Sequence, residues 1–442
     1  MYQIRDPIHG FIDVSSLEMK IVDSEPFQRL RRIRQLATTH LVYPGAEHTR
    51  FGHSLGVMHL VSKAYNSALN NFKERNKSDL FKPLKKEWYE QILRLIALTH
   101  DLGHAPYSHA SEALFEDGIE HEDFTKKILL ESEIADYIRH IGVAFREKHN
   151  VDEEYDITPE LLWLIYGEKN PELDKFYVMP DYKFLKSFMD SELDCDKMDY
   201  LLRDSYYCGV NYGTYDLNRL LSSLNVYKEE RGNIIQIAIE RNGIHAFEEF
   251  VIARYFMFTQ VYFHKTRRIL DKLLVDSIQD VLVEKKYPST VSEYLDWDDQ
   301  SVFAKIKENQ NESLSAQQFI KRQVMTCVYE SGTHSNLSND AKVFSLVKRE
   351  LESKLQSCKV VEDTSHKLAH KIPLMELFDA ESGKGIPLLI KHSAKPASIS
   401  TESTILQNLI NKPINIKRLY VEKSYLEEAK KIVQNFLDVG GE

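Results

Sequence analysis

Between Ser54 and Phe72 the apolar residues Val61, Ala64, Tyr65, Ala68, Leu69 and Phe72 recur every three or four positions. Only a helix places residues so spaced on one face, so this stretch is expected to bury a stripe in the core. Trp88, Ile92, Leu95 and Ile96 repeat the pattern on the way to His100. Ser24, Glu25 and Pro26 read as a helix start, with Phe27, Leu30 and Ile33 at core spacing. Thr158 as N-cap, Pro159 in the first helical position and Gly167 at the end bound another short helix.

Strand signals are sparse. Ile234, Ile235, Ile237 and Ile239 follow a charged turn at Glu229 to Asn233 and predict a hairpin. A long helix is expected from near Gly243, carrying Phe250, Arg254, Phe258, Tyr262 and Lys265. The last third changes character. Ser331–Asp340 and His392–Ser403 read as loops, and Ile416, Leu419 and Val421 as a strand. Ser424 followed by Glu427 reads as a capping box opening a final helix. These patterns predict a mainly α fold, with a helical body over residues 1–270 and a smaller helical and α/β lobe over 271–442.

A formal charge of -10 argues against bulk electrostatic capture of nucleic acid, although Arg31, Arg32 and Arg34, and Lys265, Arg267 and Arg268, offer local basic groups. Nucleic acid is therefore an unsupported partner. No apolar run approaches the ~20 residues of a membrane span. The opening MYQIRDPIHG lacks the apolar stretch of a signal peptide, and a cytoplasmic location without membrane contact is expected. Cys195, Cys208, Cys327 and Cys358 show no paired spacing, so neither a disulfide framework nor a cysteine metal site is expected.

The chemistry concentrates at THDLGH, Thr99 to His104. Alone, a His-Asp pair in a chain with 17 histidines is weak evidence. Here an apolar helix delivers it, and Gly103 is expected to end or bend that helix. Imidazole nitrogen and carboxylate oxygen suit divalent Mn, Fe, Mg, Zn or Ni. RFGHSLG adds His53 and ELDCDKMDYLLRD adds Asp196, each near the start of a helix, giving a His, His-Asp, Asp ligand order. His104, His109 and His121 follow, and could serve as a general acid or a phosphate-binding cluster.

Five motifs then occur in order: DPIHGFI at Asp6, FQRLRRIRQL at Phe27, YPGAEHTRFGHSLGV at Tyr43, HDLGHAPYSH at His100 and DKMDYLLRD at Asp196. Together they resemble the HD-domain deoxynucleoside triphosphate triphosphohydrolases, a family with bacterial members and the HD part of the vertebrate SAM-and-HD-domain protein. The match runs from about Asp6 to about Arg268. It implies an HD-domain helical bundle, with an N-terminal regulatory segment, that hydrolyses a dNTP to deoxynucleoside and inorganic triphosphate.

Carried over, His53, His100, Asp101 and Asp196 bind the metal. His104 sits beside the α-phosphate with His109 and His121 near it, and Glu112 orients one of them. Arg50, Lys197 and Arg254 hold phosphate oxygens. Tyr200 and Asp204 lie along the sugar, Gln35 and Leu36 touch sugar and base, and Tyr262 packs beneath the deoxyribose. Phe258 stands where the vertebrate branch has a histidine, and Glu112 replaces an aspartate. Asp23, Gln28 and Arg31, with Arg5 in place of an asparagine, match a regulatory site. The resemblance thus also implies an activating nucleotide (GTP or a dNTP) and a homo-oligomer, a tetramer. Two alternatives fit the same residues: another HD phosphohydrolase (nucleotidase, signalling-nucleotide hydrolase or nuclease), or a nucleotide-binding regulator without catalysis.

Overall fold

Gly10 adopts φ +78°, a left-handed conformation that costs glycine little. There the chain folds back as an antiparallel hairpin of β1 (Tyr2–Asp6) and β2 (Gly10–Val14). This computed structural model describes residues 1–167, 180–229, 234–335, 338–368, 370–372, 385–393, 395–409 and 412–439. Ser15 and Glu18 form a capping box on α1 (Ser16–Val22). α2 (Glu25–Arg29) follows, with Ser24 at its N-cap and Pro26 in its first turn.

The predicted stripes form α3 (Arg50–Asn76) and α4 (Pro83–Thr99), which pack against each other. Val61, Ala64, Tyr65, Ala68, Leu69 and Phe72 are all buried. Val61, Leu69 and Phe72 each contribute about 1.5–3 kcal/mol on leaving water, so the pair forms a stiff central unit. α5 (His121–Glu131), α6 (Glu133–His149), α7 (Pro159–Tyr166) and α8 (Pro180–Ser187) surround it. Thr158 caps α7 by accepting from the Leu161 amide, as its position predicts. α9 (Cys195–Cys208) lies against α3.

After α10 (Leu217–Ser222), the expected hairpin appears as β3 (Leu224–Lys228) and β4 (Ile235–Glu240). Most of its turn, residues 230–233, lies outside the described residues. The long helix expected after Gly243 is not continuous. α11 (Ile244–Phe256) widens into a π-helical stretch, Met257–Tyr262, where the Phe263 amide donates to the Phe258 carbonyl. His264 leaves helical geometry at ψ 128°, and its ring caps a new helix, α12 (Lys265–Gln279). The wider turn holds Tyr262 facing Asp204, and that buried hydrogen bond offsets the poorer π geometry.

α13 (Val291–Leu295), α14 (Asp299–Glu308) and α15 (Leu314–Ile320) continue the body: Tyr294, Val302, Ile306 and Phe319 belong to the same core as α3 and α4. A second, smaller core follows. β5 (Thr326–Glu330), α16 (Ser338–Lys354), β6 (Val361–Lys367), β7 (Pro387–Leu389), β8 (Ala397–Ser398), α17 (Ile399–Glu402), α18 (Thr404–Leu409), β9 (Ile414–Val421) and α19 (Leu426–Val439) complete the described chain. β9 runs between β5 and β6, antiparallel to both. Val347, Leu351, Ala429 and Ile432 of α16 and α19 cover this sheet. β7 joins β4 in parallel, so the late chain also extends the body's own sheet.

Three local expectations are corrected. His392–Ser403 contains β8 and α17 rather than only loop, because Ser398 and Ile399 are buried against the core. Ser331–Asp340 gives way to α16 from Ser338, and residues 336–337 lie outside the described residues. Ser424 sits inside a 3-10 turn, Lys423–Tyr425, that leads into α19, so it does not stand at that helix's N-cap. Among the described residues no helix is long and apolar enough to cross a membrane.

Candidate active site

α4 ends at Thr99, with His100 at its C-cap. Gly103 therefore does not terminate the helix. It permits a close approach instead: a Cβ there would collide with the His121 carbonyl and the Thr125 amide, and would lie 2.7 Å from Thr125 Oγ1. The turn after α4 is thus pressed onto the start of α5, which brings His121 beside His104.

The His100 Nδ1–H donates to the Ala97 carbonyl (2.7 Å), and the His53 Nδ1–H donates to Asp199 Oδ2 (2.8 Å). Both anchors leave the Nε2 lone pairs facing one space. His53 Nε2 lies 2.9 Å from Asp196 Oδ1, and His100 Nε2 lies 3.8 Å from it. Asp101 borders the same space, its oxygens 3.7 Å and 3.4 Å from the His53 and His100 Nε2 atoms. It is also held by Arg50 Nη1 at 2.6 Å.

Neither Nε2 has a hydrogen-bond partner among the described residues, although both are buried. Two orphaned imidazole nitrogens converging with carboxylate oxygens are a donor set suited to a divalent ion. The electrostatics agree. Burial opposes charge on His53, but Asp196 and Asp199 beside it, with Asp101, outweigh that and push it up to about 10. Burial likewise opposes charge on Asp101, yet Arg50, His100 and His104 hold its carboxyl well below the usual range. The space favours positive charge. Asp196, a third exposed, forms its open side.

Adjacent to this trio stands a second cluster. Glu112 Oε1 lies 3.1 Å from His104 Nδ1, 2.9 Å from His109 Nδ1 and 3.1 Å from His121 Nδ1. Glu112 therefore gathers all three histidines rather than orienting one. The His104 and His121 rings stack at 3.9 Å, and His109 is 64% exposed at the mouth. His104 Nε2 reaches Asp101 Oδ1 at 3.1 Å and so links the clusters. Burial, with Arg50 and His121, pushes His104 down to about 3. His121 shifts upward: burial opposes its charge, but the Glu112 hydrogen bond prevails. Tyr107 and Ser108 both adopt positive φ in this loop, which lets Ser108 accept from Arg50 Nε and donate to the Arg34 carbonyl.

The remaining candidates are held by partners of their own. Asp204, buried, accepts from Tyr262 (2.7 Å) and from His48 Nε2 (2.7 Å). The Tyr200 and Tyr262 rings stand 6.3 Å apart. Arg254, 5% exposed, lies 3.4 Å from Glu192. Lys197 turns back to Asp194, the N-cap of α9 (2.5 Å). Leu36 is buried, and the Gln35 side-chain oxygen is buried without a hydrogen-bond partner among the described residues. Gln28 accepts from Arg31 and donates to the Val22 carbonyl, next to Asp23 at the end of α1. Arg5 stands on β1, over the Phe11 ring.

Sequence reasoning passed over Asp199, which anchors His53, His9 and Arg203, which hold Asp199, and Arg29, whose guanidinium donates to the carbonyls of Leu102, His104 and Trp297. The i, i+3 spacing of Asp196 and Asp199 on one helix was the available signal.

Histidine and aspartate donors meeting at the ends of packed helices define the HD class of metal-dependent phosphohydrolases. Comparisons agree. The HD domain family matches residues 50–177, and the HD associated region matches residues 215–441. The chain is 35% identical over 275 residues to the uncharacterized protein YwfO of Bacillus subtilis, covering 61% of this chain and 53% of that protein. It is 32% identical over 283 residues to a deoxynucleoside triphosphate triphosphohydrolase SAMHD1 homolog of Dictyostelium discoideum, covering 63% and 49%. A crystal structure of a hypothetical protein from Aquifex aeolicus superposes with a TM-score of 0.74 at 29% identity, over 98% of this chain and 99% of that one. The chain spans about half the length of the curated relatives it matches. It belongs to the HD-domain family whose members include dNTP triphosphohydrolases.

Proposed function

We propose that this protein is a divalent-metal-dependent dNTP triphosphohydrolase. The observation that carries this is the 3.1 Å contact of Asp101 with His104, which joins the metal-ligand donors to the Glu112 histidine cluster as one site. His53, His100 and Asp196, with Asp101, would hold the ion, one of Mn, Fe, Mg, Zn or Ni. A bound ion supplies Lewis acidity toward an α-phosphate oxygen and toward the attacking water.

The chain's own residues do the rest. Arg50, Lys197 and Arg254 offset triphosphate charge as it grows in the transition state. Attack at the α-phosphorus breaks its bond to the 5′ oxygen, which then needs a proton. Glu112 favours the charged form of His121, whereas burial pushes His104 down to about 3, so His121, beside the exposed His109, is placed to donate it. Tyr262, fixed by Asp204, packs under the deoxyribose and leaves no room for a 2′-hydroxyl. Gln35, Leu36 and Tyr200 line the base and sugar.

Activation by GTP or a dNTP at Asp23, Gln28, Arg31 and Arg5, assembly as a tetramer, a cytoplasmic location and control of the dNTP pool complete the proposal. The test is product analysis with each dNTP and NTP, singly and mixed, with Mn or Mg. Deoxynucleoside plus intact triphosphate is expected. Orthophosphate or a monophosphate would instead indicate another HD phosphohydrolase, and no turnover in any mixture a binding protein.

A further inference from the structure

The DPIHG motif lies outside the catalytic roles assigned above, yet the structure ties it to a metal-ligand donor. Asp199, one turn after Asp196 on α9, is fully buried and takes four hydrogen bonds. Its Oδ2 accepts from His53 Nδ1 (2.8 Å) and Arg203 Nε (2.7 Å). Its Oδ1 accepts from His9 Nε2 (2.6 Å) and Arg203 Nη2 (2.9 Å). Arg203 also donates to Asp6 Oδ2 at 2.8 Å, while Asp6 Oδ1 accepts from the Ile8 and His9 amides at 2.9 Å each. Asp6 thus shapes the turn that presents His9.

The packing leaves no slack. A Cβ on Gly56, one turn after His53, would collide with Asp199 Oδ1 and sit 2.5 Å from Arg203 Nη2.

We propose that Asp199 is a positioning residue for His53, and that the β1–β2 hairpin, through His9, sets the alignment of that ligand. This rests on the reading that His53, His100 and Asp196 hold a divalent ion. A carboxylate accepting the Nδ1–H of an imidazole fixes its ring plane and strengthens Nε2 as a donor. His100 is anchored by its own helix, through Ala97. His53 depends instead on a carboxylate whose last partner belongs to a different element. A displaced hairpin would remove one of the four bonds that orient Asp199 and loosen the ligand behind it.

The test uses the full chain loaded with Co²⁺, whose visible bands report ligand geometry, with titration for affinity. Asp199→Asn should weaken Co²⁺ binding about 10- to 100-fold and shift the bands. His9→Ala, which leaves Asp199 and His53 in place, should weaken it about threefold or more and shift the bands the same way. Asp6→Asn, with the urea midpoint of every metal-free variant, reads the structural cost of disturbing Arg203. Wild-type affinity and bands in a folded Asp199→Asn protein would overturn the positioning role. Unchanged affinity and bands in His9→Ala would overturn the hairpin coupling, even if Asp199→Asn fails to fold. A wild-type protein that takes up no Co²⁺ would overturn the metal reading itself.

Discussion

Replacing Gly103 with alanine tests whether the turn after α4 is pressed onto α5 as described. An exposed Gly→Ala change ordinarily gains about 0.4–1 kcal/mol by restricting the unfolded chain. Here the new methyl meets two backbone groups, the His121 carbonyl and the Thr125 amide, which cannot rotate away. The turn must retreat on the order of 1 Å, at an overpacking cost of about 1–3 kcal/mol. Retreat also strains the Gly103 amide bond to Thr125 Oγ1 (3.0 Å) and the Tyr294 hydroxyl bond to the Gly103 carbonyl (2.8 Å), each about 1 kcal/mol. The expected loss is about 2–4 kcal/mol in urea unfolding. His100 and Asp101 ride on the same turn, and ligand geometry tolerates only about 0.5 Å, so Mn²⁺ affinity should fall at least about tenfold. Gly118→Ala is the contrast. Gly118 has φ +82° and open space around it, so only about 1–2 kcal/mol of backbone strain applies and metal binding should persist. A Gly103→Ala protein matching wild type in urea midpoint and Mn²⁺ affinity would refute the close approach.

Arg29→Met leaves the Leu102, His104 and Trp297 carbonyls without their donor, and should cost about 3 kcal/mol by chemical denaturation. Tyr262→Phe removes the bond to Asp204 and should cost about 1–3 kcal/mol while preserving sugar discrimination. Tyr262→Ala should instead raise the relative kcat/KM of a ribonucleotide about tenfold, and a ratio held at the wild-type value would remove Tyr262 from the sugar site. Burial, with Lys63, His9 and Arg94 nearby, pushes His59 down to about 4. The unfolded chain binds this proton below pH 6.5 and the folded chain only near 4, so stability falls as pH drops through that window. His59→Gln should flatten the slope between pH 6.5 and 4 in urea midpoints, and parallel curves for the two proteins would count against the assignment.

The central helices were legible because burial on one face leaves a period in the sequence, as Val61 to Phe72 and Trp88 to Ile96 show. Thr158 and Gly167 were legible because capping is chemistry within a few residues. The HD donor set could be listed from motif order, and the structure brings His53, His100 and Asp196 together with Asp101 alongside. The π turn could not be read, since the bond it accommodates joins Tyr262 to Asp204, far away in the chain. Asp199 left only its i, i+3 spacing from Asp196 as a signal. Its burial depends on His9, His53 and Arg203, and a buried carboxylate resembles any surface aspartate until they assemble. Gly103 looked like a helix terminator because a sequence shows a missing side chain but not what occupies its space. β8 and α17 were lost in a serine-rich stretch in which Ser398 and Ser400 are buried and hydrogen-bonded to each other.

The order of strands β5, β9 and β6 has a consequence during synthesis. The middle strand is made last of the three, so the ribosome releases both outer strands before anything exists for them to pair with. At ordinary elongation speeds the wait between Glu330 and Ile414 is on the order of 10 s. Once Lys367 is made, two unpaired strands face the crowded cell, while α3 and α4, made earlier, can already pack on each other. Chains interrupted within this interval would carry packed early helices, a body still short of β7, and a sticky, half-built tail, and clearance of such chains is where this fold places its burden on chaperones and proteases.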